Sequence, residues 1–201
     1  VVSPQHSPRI RDAEAKLLAE CDHVAGPANR RNGVTAVKCS DVVITRHLPD
    51  EAVMAAGHDS IPAIVFSGER REGAGPFVYL ETVGGGSGAR ADSDGMDAVH
   101  VHLTNTSNLP AEALEHEYPL MVDEYALVPN SCGAGTHRGG VGIARQIRAL
   151  QDGVIFSIRS DSHIIGAPGV FDGGEGGTAN LFRNADGPDR EALSSKVSHI
   201  E

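Results

Sequence analysis

The stretch from Gly84 to Thr106, GGGSGARADSDGMDAVHVHLTNT, concentrates side chains that could do chemistry. His100 and His102 alternate with apolar residues, so in a strand both imidazoles would lie on one face. Two histidines on one face can chelate a transition metal when a third ligand comes from elsewhere. Side chains available for that role are Asp92, Asp94, Asp97, Glu115, His116 and His137. Because no spacing selects among them, polar contacts in a cleft or an interface are the favoured interpretation.

The glycine loop before the histidines formally matches a nucleotide-binding pattern. Gly84-x-Gly86-x-x-Ala89 has the spacing of the dinucleotide fingerprint and follows a predicted strand. The fingerprint requires a helix N-terminus for the pyrophosphate, whereas the segment ARADSDGMD has no helical periodicity. No Lys-Ser or Lys-Thr pair follows, which excludes a Walker loop. The pattern therefore favours a turn whose glycines adopt positive φ.

Two further segments carry reactive side chains with simpler interpretations. The run Leu103 to Asn108 holds five hydroxyl or amide side chains, which commonly cap the next helix, with substrate or interface contact as the alternative. Cys132 precedes His137 by five residues and raises the hypothesis of an activated nucleophile. The surrounding sequence PNSCGAGTHRGGVG favours a long hairpin turn, in which glycines 133, 135, 139 and 140 permit unusual backbone angles.

Composition excludes several functional classes. The 201 residues, 40% of them apolar, can bury a core, and the formal charge of -10 argues against nucleic acids and anionic membranes as partners. Three cysteines without a C-x-x-C motif predict reduced thiols rather than a disulfide framework. No apolar run approaches the roughly 18 residues of a membrane span, and no leader opens the chain. The sequence predicts a soluble, cytoplasmic protein, and its start without methionine indicates a piece of a longer one.

The element pattern predicts an α+β fold, with a mostly antiparallel β-rich body behind a small N-terminal helical segment. Residues 1–57 form the predicted helical segment, with helices near Ile10 to Cys21, Val34 to His47 and Pro49 to Gly57. Residues 58–201 form the β-rich domain, in which one helical turn or two lies at Pro110 to Pro119. The predicted strands are short and bounded by glycine-rich turns: 63–68, 77–83, 98–103, 120–128, 142–150 and 154–160.

Several of these motifs together resemble the C-terminal part of the B-type component of the hydantoinase and 5-oxoprolinase family. The resemblance rests on the E-T-x-G-G-G loop, the D-G-x-D-x-V-H-x-H-x-T-N-T segment, the E-x-x-Y-P turn and the G-A-G-x-x-R-G-G loop, in that order. It extends from about Pro49 to the end of the chain, where APGVFDGGEGG and LSSKV match later landmarks.

The resemblance implies one component of an enzyme assembly. B-type components pair with an A-type component that binds ATP, and in the hydrolases a cyclic amide is phosphorylated and then opened by water. Related ketone carboxylases activate a ketone and bicarbonate with a similar architecture. A full B-type component is much longer than this chain. Its divalent metal is expected in the N-terminal half, which weakens the case for His100 and His102 as primary metal ligands.

Three functional hypotheses follow. The first is a component of an ATP-dependent cyclic-amide hydrolase that is inactive alone, with His100, His102, Asn105 and Glu115 as cavity residues with a catalytic role. The second is a subunit of an ATP-dependent ketone carboxylase, distinguished by bicarbonate-dependent ATP consumption. The third is a non-catalytic scaffold portion that binds the partner chain and the N-terminal half of the B-type component. The substrate, a small cyclic amide or a ketone, is not specified by the motifs.

Overall fold

A computed structural model of the chain describes residues 53–58, 61–100 and 104–200. Contacts divide the chain after Met54, and the unit that begins at Ala55 contains all the elements below. In chain order they are β1 (Ala63–Glu69), β2 (Pro76–Thr82), α1 (Ala111–Glu117), β3 (Leu120–Leu127), β4 (Ile143–Ala149), β5 (Ile155–Arg159), β6 (Phe182–Arg183), β7 (Glu191–Ala192) and β8 (Lys196–Ile200). A 3₁₀ turn at Arg71–Gly73 connects β1 to β2.

The larger sheet is antiparallel, with strand order β2, β1, β5, β8. Alternation along β2 places Phe77, Tyr79 and Glu81 on the buried face, and Val78 and Leu80 on the exposed one. Two of these inward residues are apolar or aromatic and suit a core. The third is a carboxylate, and it begins the site described below.

A second, two-stranded antiparallel sheet pairs β3 with β4. The short helix α1 precedes β3, and Leu114 of the helix and Leu120 of the strand are fully buried. The ring of Tyr118, between them in sequence, contacts the rings of Phe77 and Tyr79 at centroid distances of 5.4 and 5.2 Å. The core cluster therefore joins the larger sheet to α1 and β3; its buried members are Ile64, Phe66, Phe77, Tyr79, Leu114, Leu120 and Val154.

The prediction of a mostly antiparallel, β-rich body is confirmed for the described residues. Five of the six predicted strands are present with ends shifted by at most one residue, and the helix predicted at 110–119 is present at Ala111–Glu117. The pairs β6–β7 and β5–β8 were not predicted. No helix in the part of the chain that the structure describes is long and apolar enough to cross a bilayer.

Two predicted elements are wrong where the structure describes them. Residues 53–57 are not helical, because the backbone N–H of Ala55 donates to Ala89 O at 2.9 Å and that of His58 to Gly86 O at 2.7 Å. The strand predicted at 98–103 is reduced over 98–100 to an isolated bridge between Gly85 and Val99. Ala98 has a φ of 52°, which is incompatible with extended strand backbone.

The remaining N-terminal predictions lie outside the described residues. They are the helices near 10–21 and 34–47, and with them the helical character of the segment 1–57. The division into domains 1–57 and 58–201 stays a prediction.

Candidate functional site

A buried ion pair lies where β2 faces β4. Glu81 and Arg145 have side chains only 7% and 3% exposed, and an Arg145 amino group donates to Glu81 Oε2. The hydroxyl of Tyr79 donates to the same oxygen at 2.5 Å. Burial, followed by the hydrogen bond to Glu81, raises the pKa of Tyr79 well above its ordinary value. A carboxylate on the inward face of a strand requires such partners, since a buried unpaired charge is strongly unfavourable.

The ion pair also fixes the chain segment that leads into α1. Glu81 Oε1 accepts the backbone N–H of Leu109 at 2.5 Å, while the second amino group of Arg145 donates to the Leu109 carbonyl at 3.2 Å. Both backbone groups of one residue are thereby bonded to one buried pair. The residue before it, Asn108, is held in place as a consequence.

Asn108 connects this buried pair to His100. Its Nδ2 donates to the Thr82 carbonyl at 2.8 Å, and its Oδ1 accepts the hydroxyl of Tyr125 at 3.2 Å. The same Oδ1 lies 3.1 Å from His100 Nε2. The other ring nitrogen of His100, Nδ1, is 3.5 Å from the Thr104 hydroxyl. We call Tyr79, Glu81, Arg145, Tyr125, Asn108 and His100 together the polar network.

The polar network runs from the core toward the surface. Its inner members, Tyr79, Glu81 and Arg145, are buried, whereas His100 is half-buried and Tyr125 is 49% exposed. The guanidinium of Arg145 lies 5.2 Å from the centroid of the Tyr125 ring, a cation–π arrangement that joins the two ends. An imidazole and a phenol at the outer end can exchange protons with a bound molecule, and the inner end holds them in place.

The four residues predicted as a catalytic set are not all brought together. His100 joins the polar network, while His102 lies outside the described residues. Asn105 is exposed and has a φ of 40°. Glu115, on α1, accepts the backbone N–H of Val122 at 3.0 Å and so ties the helix to β3. This contact gives Glu115 a structural task, and a catalytic role for these residues stays a prediction.

The glycines of the opening stretch form a close-packed layer of backbone. A Cβ added to Gly86 would lie 1.9 Å from Gly140 O, and one added to Gly88 would lie 1.7 Å from Ala55 O. A Cβ added to Gly95 would lie 2.2 Å from Ser87 O, and one added to Gly140 would lie 1.9 Å from Met96 O. We call these four glycines, 86, 88, 95 and 140, the glycine layer. It interlocks the E-T-x-G-G-G loop, the D-G-x-D segment and the G-A-G-x-x-R-G-G loop.

The positive φ expected of these glycines is not observed. Gly73, Gly75 and Gly153 are the described glycines with left-handed φ, and each lies in a turn elsewhere. In the glycine layer, and at Gly133 in the loop at 133–140, close approach of backbone to backbone is what excludes a side chain. The loop N–H groups of Gly85 and Ser87 donate to Val99 O and Met96 O, so they are not directed at a ligand. The fit to a nucleotide phosphate is therefore poor.

The aspartates after the glycine loop hold the two motif loops together. Asp97 accepts two hydrogen bonds from Arg138, at 2.8 and 3.2 Å, and a third from the Val141 backbone at 2.8 Å. These bonds, Arg138 first, hold the pKa of Asp97 below its usual value. Asp94 accepts the Arg138 backbone N–H at 3.0 Å, and His137 Nδ1 is 3.5 Å from Asp94 Oδ1. Among the described residues, no three His, Cys, Asp or Glu side chains are grouped as metal ligands.

The main omission from the sequence-based site is the buried half of the polar network. Glu81 could have been noticed as an acidic residue at an inward position of the alternating segment FVYLET. Its partner Arg145 is 64 residues away in sequence, and no local pattern identifies that pairing. Asn108 belongs to the polar run 103–108, for which helix capping is the common role and substrate or interface contact the alternative. Its side chain instead bonds Thr82 and His100.

Comparison with known proteins places these motifs in one family. The family model described as hydantoinase B/oxoprolinase matches residues 23–201. A protein of Pseudomonas sp. (strain NS671), the putative B-type subunit of a D-/L-hydantoinase, is 40% identical over 62% of this chain and 20% of its own length. The 5-oxoprolinase 1 of Arabidopsis thaliana is 32% identical over 73% of this chain and 11% of its own.

A carboxylase subunit is also similar over a shorter region. The acetophenone carboxylase delta subunit of Aromatoleum aromaticum is 43% identical over 30% of this chain and 9% of its own length. In the first two of these relatives the matched region is about a fifth or less of the whole protein. This chain therefore corresponds to a limited region of each.

Proposed function

Because the chain belongs to the hydantoinase B/oxoprolinase family, we propose that it forms part of the B-type component of an ATP-dependent hydrolase of cyclic amides. The observation that carries this proposal is the match to the family over residues 23–201, together with the similarity to a B-type hydantoinase component. The class of substrate proposed is a small cyclic amide of the hydantoin or 5-oxoproline type. The assembly, rather than this chain alone, is the proposed enzyme.

The proposed partners are an A-type subunit and the N-terminal half of the B-type component. ATP, bound by the A-type subunit, would supply phosphorylation of the amide. The hydrogen bonds of the glycine loop support this division, because the N–H groups of Gly85 and Ser87 are already bonded to Val99 O and Met96 O. We place the proposed divalent metal in the N-terminal half. A cytoplasmic location remains a prediction from the cysteine pattern.

Within this chain, the polar network is the proposed contribution to the active site. Opening an amide ring with water requires one proton to leave the water and one to reach the departing nitrogen. His100 is the titratable side chain of the network at its half-buried outer end, with Tyr125 beside it. We assign His100 the task of taking up or delivering such a proton. His102 and Asn105 are proposed to line the same cavity.

An ATP-dependent ketone carboxylase is the second candidate. The similarity to an acetophenone carboxylase delta subunit supports it. In that case ATP consumption would require both a ketone and bicarbonate, and hydantoin or 5-oxoproline would not stimulate it. A purely scaffolding portion is the third candidate, and it predicts that substitutions in the polar network that leave the complex assembled also leave turnover unchanged.

The test is reconstitution with the A-type subunit and the remainder of the B-type component. ATP consumption is measured with hydantoin, with 5-oxoproline, and with a ketone plus bicarbonate. We expect His100→Asn to reduce cyclic-amide turnover by about 100-fold, the lower range for a general acid or base. His199→Asn, at an exposed histidine of β8, is the matched control and retains activity. Loss of complex assembly in the His100 variant would instead support the scaffold. His102→Ala tests the second histidine in the same way.

A further inference from the structure

We propose that Asn108 is a positioning residue that holds His100 with its proton on Nε2, so that Nδ1 is the nitrogen available to accept a proton. The assignment of the proton follows from the hydrogen bonds of the polar network. Only the use of Nδ1 in proton transfer rests on the proposed function. The inference concerns which nitrogen is basic, which the sequence pattern of alternating histidines does not specify.

The orientation of the Asn108 amide is determined by Thr82. A backbone carbonyl only accepts hydrogen bonds, so the Asn108 atom 2.8 Å from Thr82 O must be the NH₂ group. The amide oxygen then faces His100 and Tyr125. Since an amide oxygen has no proton to give, the ring nitrogen of His100 at 3.1 Å must be the donor. His100 Nε2 therefore carries a proton in both the neutral and the charged ring.

The buried ion pair anchors the backbone beside Asn108, and the contacts of the Asn108 amide oppose its rotation. Glu81 accepts from the N–H of Leu109, the next residue, and Arg145 donates to its carbonyl. Rotation of the amide would place its NH₂ against the Nε2 proton of His100 and its oxygen against Thr82 O, which removes both favourable contacts. Such support of one side chain by a rigid set behind it is typical of preorganised sites.

Gly84 provides the space in which the His100 ring lies. A Cβ at this position would be 3.2 Å from His100 Cδ2 and 3.0 Å from Val99 O, closer than ordinary contacts. The carbon Cδ2 is bonded to Nε2, so a side chain at Gly84 would press on the edge of the ring that faces Asn108. The first glycine of the E-T-x-G-G-G loop therefore leaves space for the His100 ring, which is a packing role and not phosphate binding.

The second ring nitrogen is held much less firmly. Thr104 Oγ1 is 3.5 Å from Nδ1, at the outer limit of a hydrogen bond. With Nε2 committed to Asn108, Nδ1 carries the lone pair of the neutral ring. In the proposed hydrolase, Nδ1 would take a proton from the attacking water and His100 would become the imidazolium, still bonded to Asn108.

The experiment is ¹⁵N NMR of the full chain with labelled histidine, in which His100→Asn identifies the His100 signals. At a pH where the ring is neutral, we expect the chemical shifts of a protonated Nε2 and an unprotonated Nδ1, with an Nε2 proton protected from exchange. Asn108→Leu removes the acceptor, so this protected proton is lost and both tautomers become populated. Asn108→Asp keeps an acceptor of the same size and preserves the Nε2 proton.

Two further variants show whether a change in the His100 signals comes from its own contacts or from a general disturbance of the fold. Tyr125→Phe removes a bond to Asn108 Oδ1 but leaves Thr82 to orient the amide, so the tautomer stays unchanged. Gly84→Ala places a Cβ 3.2 Å from His100 Cδ2, beside Nε2, and should reduce protection of the Nε2 proton. A neutral His100 that carries its proton on Nδ1 in the unsubstituted chain overturns the inference, as does a protected Nε2 proton in a folded Asn108→Leu chain.

The proposed tautomer of His100 and its proposed catalytic role can be contradicted independently. If the NMR pattern is as expected and His100→Asn turns over at the normal rate in the complex, positioning is supported and the proposed role of His100 is wrong. If His100→Asn is inactive and the tautomer is reversed, the role is supported and positioning by Asn108 is wrong. If positioning serves the reaction, Asn108→Leu lowers kcat in the complex and Asn108→Asp restores part of it.

Discussion

The glycine layer and the polar network lie in the same string of motifs and depend on opposite properties of their residues. In the glycine layer no side chain is present, and backbone atoms of three loops approach where a Cβ would overlap them. In the polar network every member acts through its side chain, and the backbone serves mainly as an anchor. Residues from Glu81 to Asn108 contribute to both.

Within one family signature, the glycine layer therefore fixes the shape of the loops, and the polar network holds the side chains that could take part in chemistry. Glycines that resemble a phosphate loop are packing residues, whereas the Glu81 carboxylate and the Asn108 amide position His100, the histidine of the predicted catalytic set that the structure describes. A motif can therefore mark a family through residues whose observed role is backbone packing. Substitutions in the glycine layer should lower stability through steric overlap, and substitutions in the polar network should lower it through the loss of a hydrogen-bond or charge partner.

Gly140→Ala should have the largest effect on stability. Its Cβ would lie 1.9 Å from Met96 O, and backbone on both sides leaves no flexible group to yield. We expect a loss of about 4 kcal/mol or more in the free energy of unfolding, or failure to fold. The adjacent Gly139→Ala is the control, because its Cβ has no neighbour closer than 3.5 Å. Urea denaturation compares the two, and equal stability would contradict close packing as the reason for these glycines.

Arg145→Met should come next, since it leaves the Glu81 carboxylate buried without its partner. The expected loss is about 3 to 5 kcal/mol in the free energy of unfolding. The double variant Glu81→Gln with Arg145→Met should recover part of it, because no charge then remains buried. Arg148→Met, on the same strand but exposed and paired with Asp123, is the matched control with little expected change. A double variant that is no more stable than Arg145→Met would count against a buried charge as the cause.

Tyr79→Phe should have a smaller effect, because Glu81 keeps its bonds to Arg145 and Leu109. Loss of one hydrogen bond to a charged group corresponds to about 1.5 kcal/mol at neutral pH. The raised pKa of Tyr79 adds a pH signature: its stabilisation is present below the ordinary tyrosine value near 10 and is lost as pH rises further. The stability difference between the two chains should therefore shrink in alkali, and a constant difference would contradict it.

Features that depend on neighbouring residues could be predicted from the sequence, whereas features that depend on residues far apart in the chain could not. Alternation and turn residues are local signals, and they located β1 to β5 and α1. Ala98 to His100 looked like a strand because its apolar residues alternate, yet its backbone bonds are to Gly85 and Val141, which local pattern cannot reveal. The partners Glu81 and Arg145 and the glycine contacts are likewise set by tertiary approach, so the site was predicted only through His100.

The smallest effect is expected for the Asp97–Arg138 pair beside the glycine layer, whose side chains are 34% and 43% exposed. The pKa of Asp97 is lowered in the folded chain, first by the bonds from Arg138 and then by the Val141 N–H. Its contribution is therefore fully present above the ordinary aspartate pKa of about 3.9 and is lost as pH falls below that value. Asp97→Asn removes this titration, so the stability advantage of the unsubstituted chain should be constant from pH 7 to about 5 and should decline as pH falls below about 3.9. Urea denaturation at each pH measures the difference in the free energy of unfolding between the two chains. The contributions of the other carboxylates are the same in both chains and cancel in this difference.

Added salt should reduce the advantage of the unsubstituted chain at pH 7, since exposed charges are screened. An advantage that persists unchanged at pH 3 would show that shape alone joins these loops, as it does in the glycine layer.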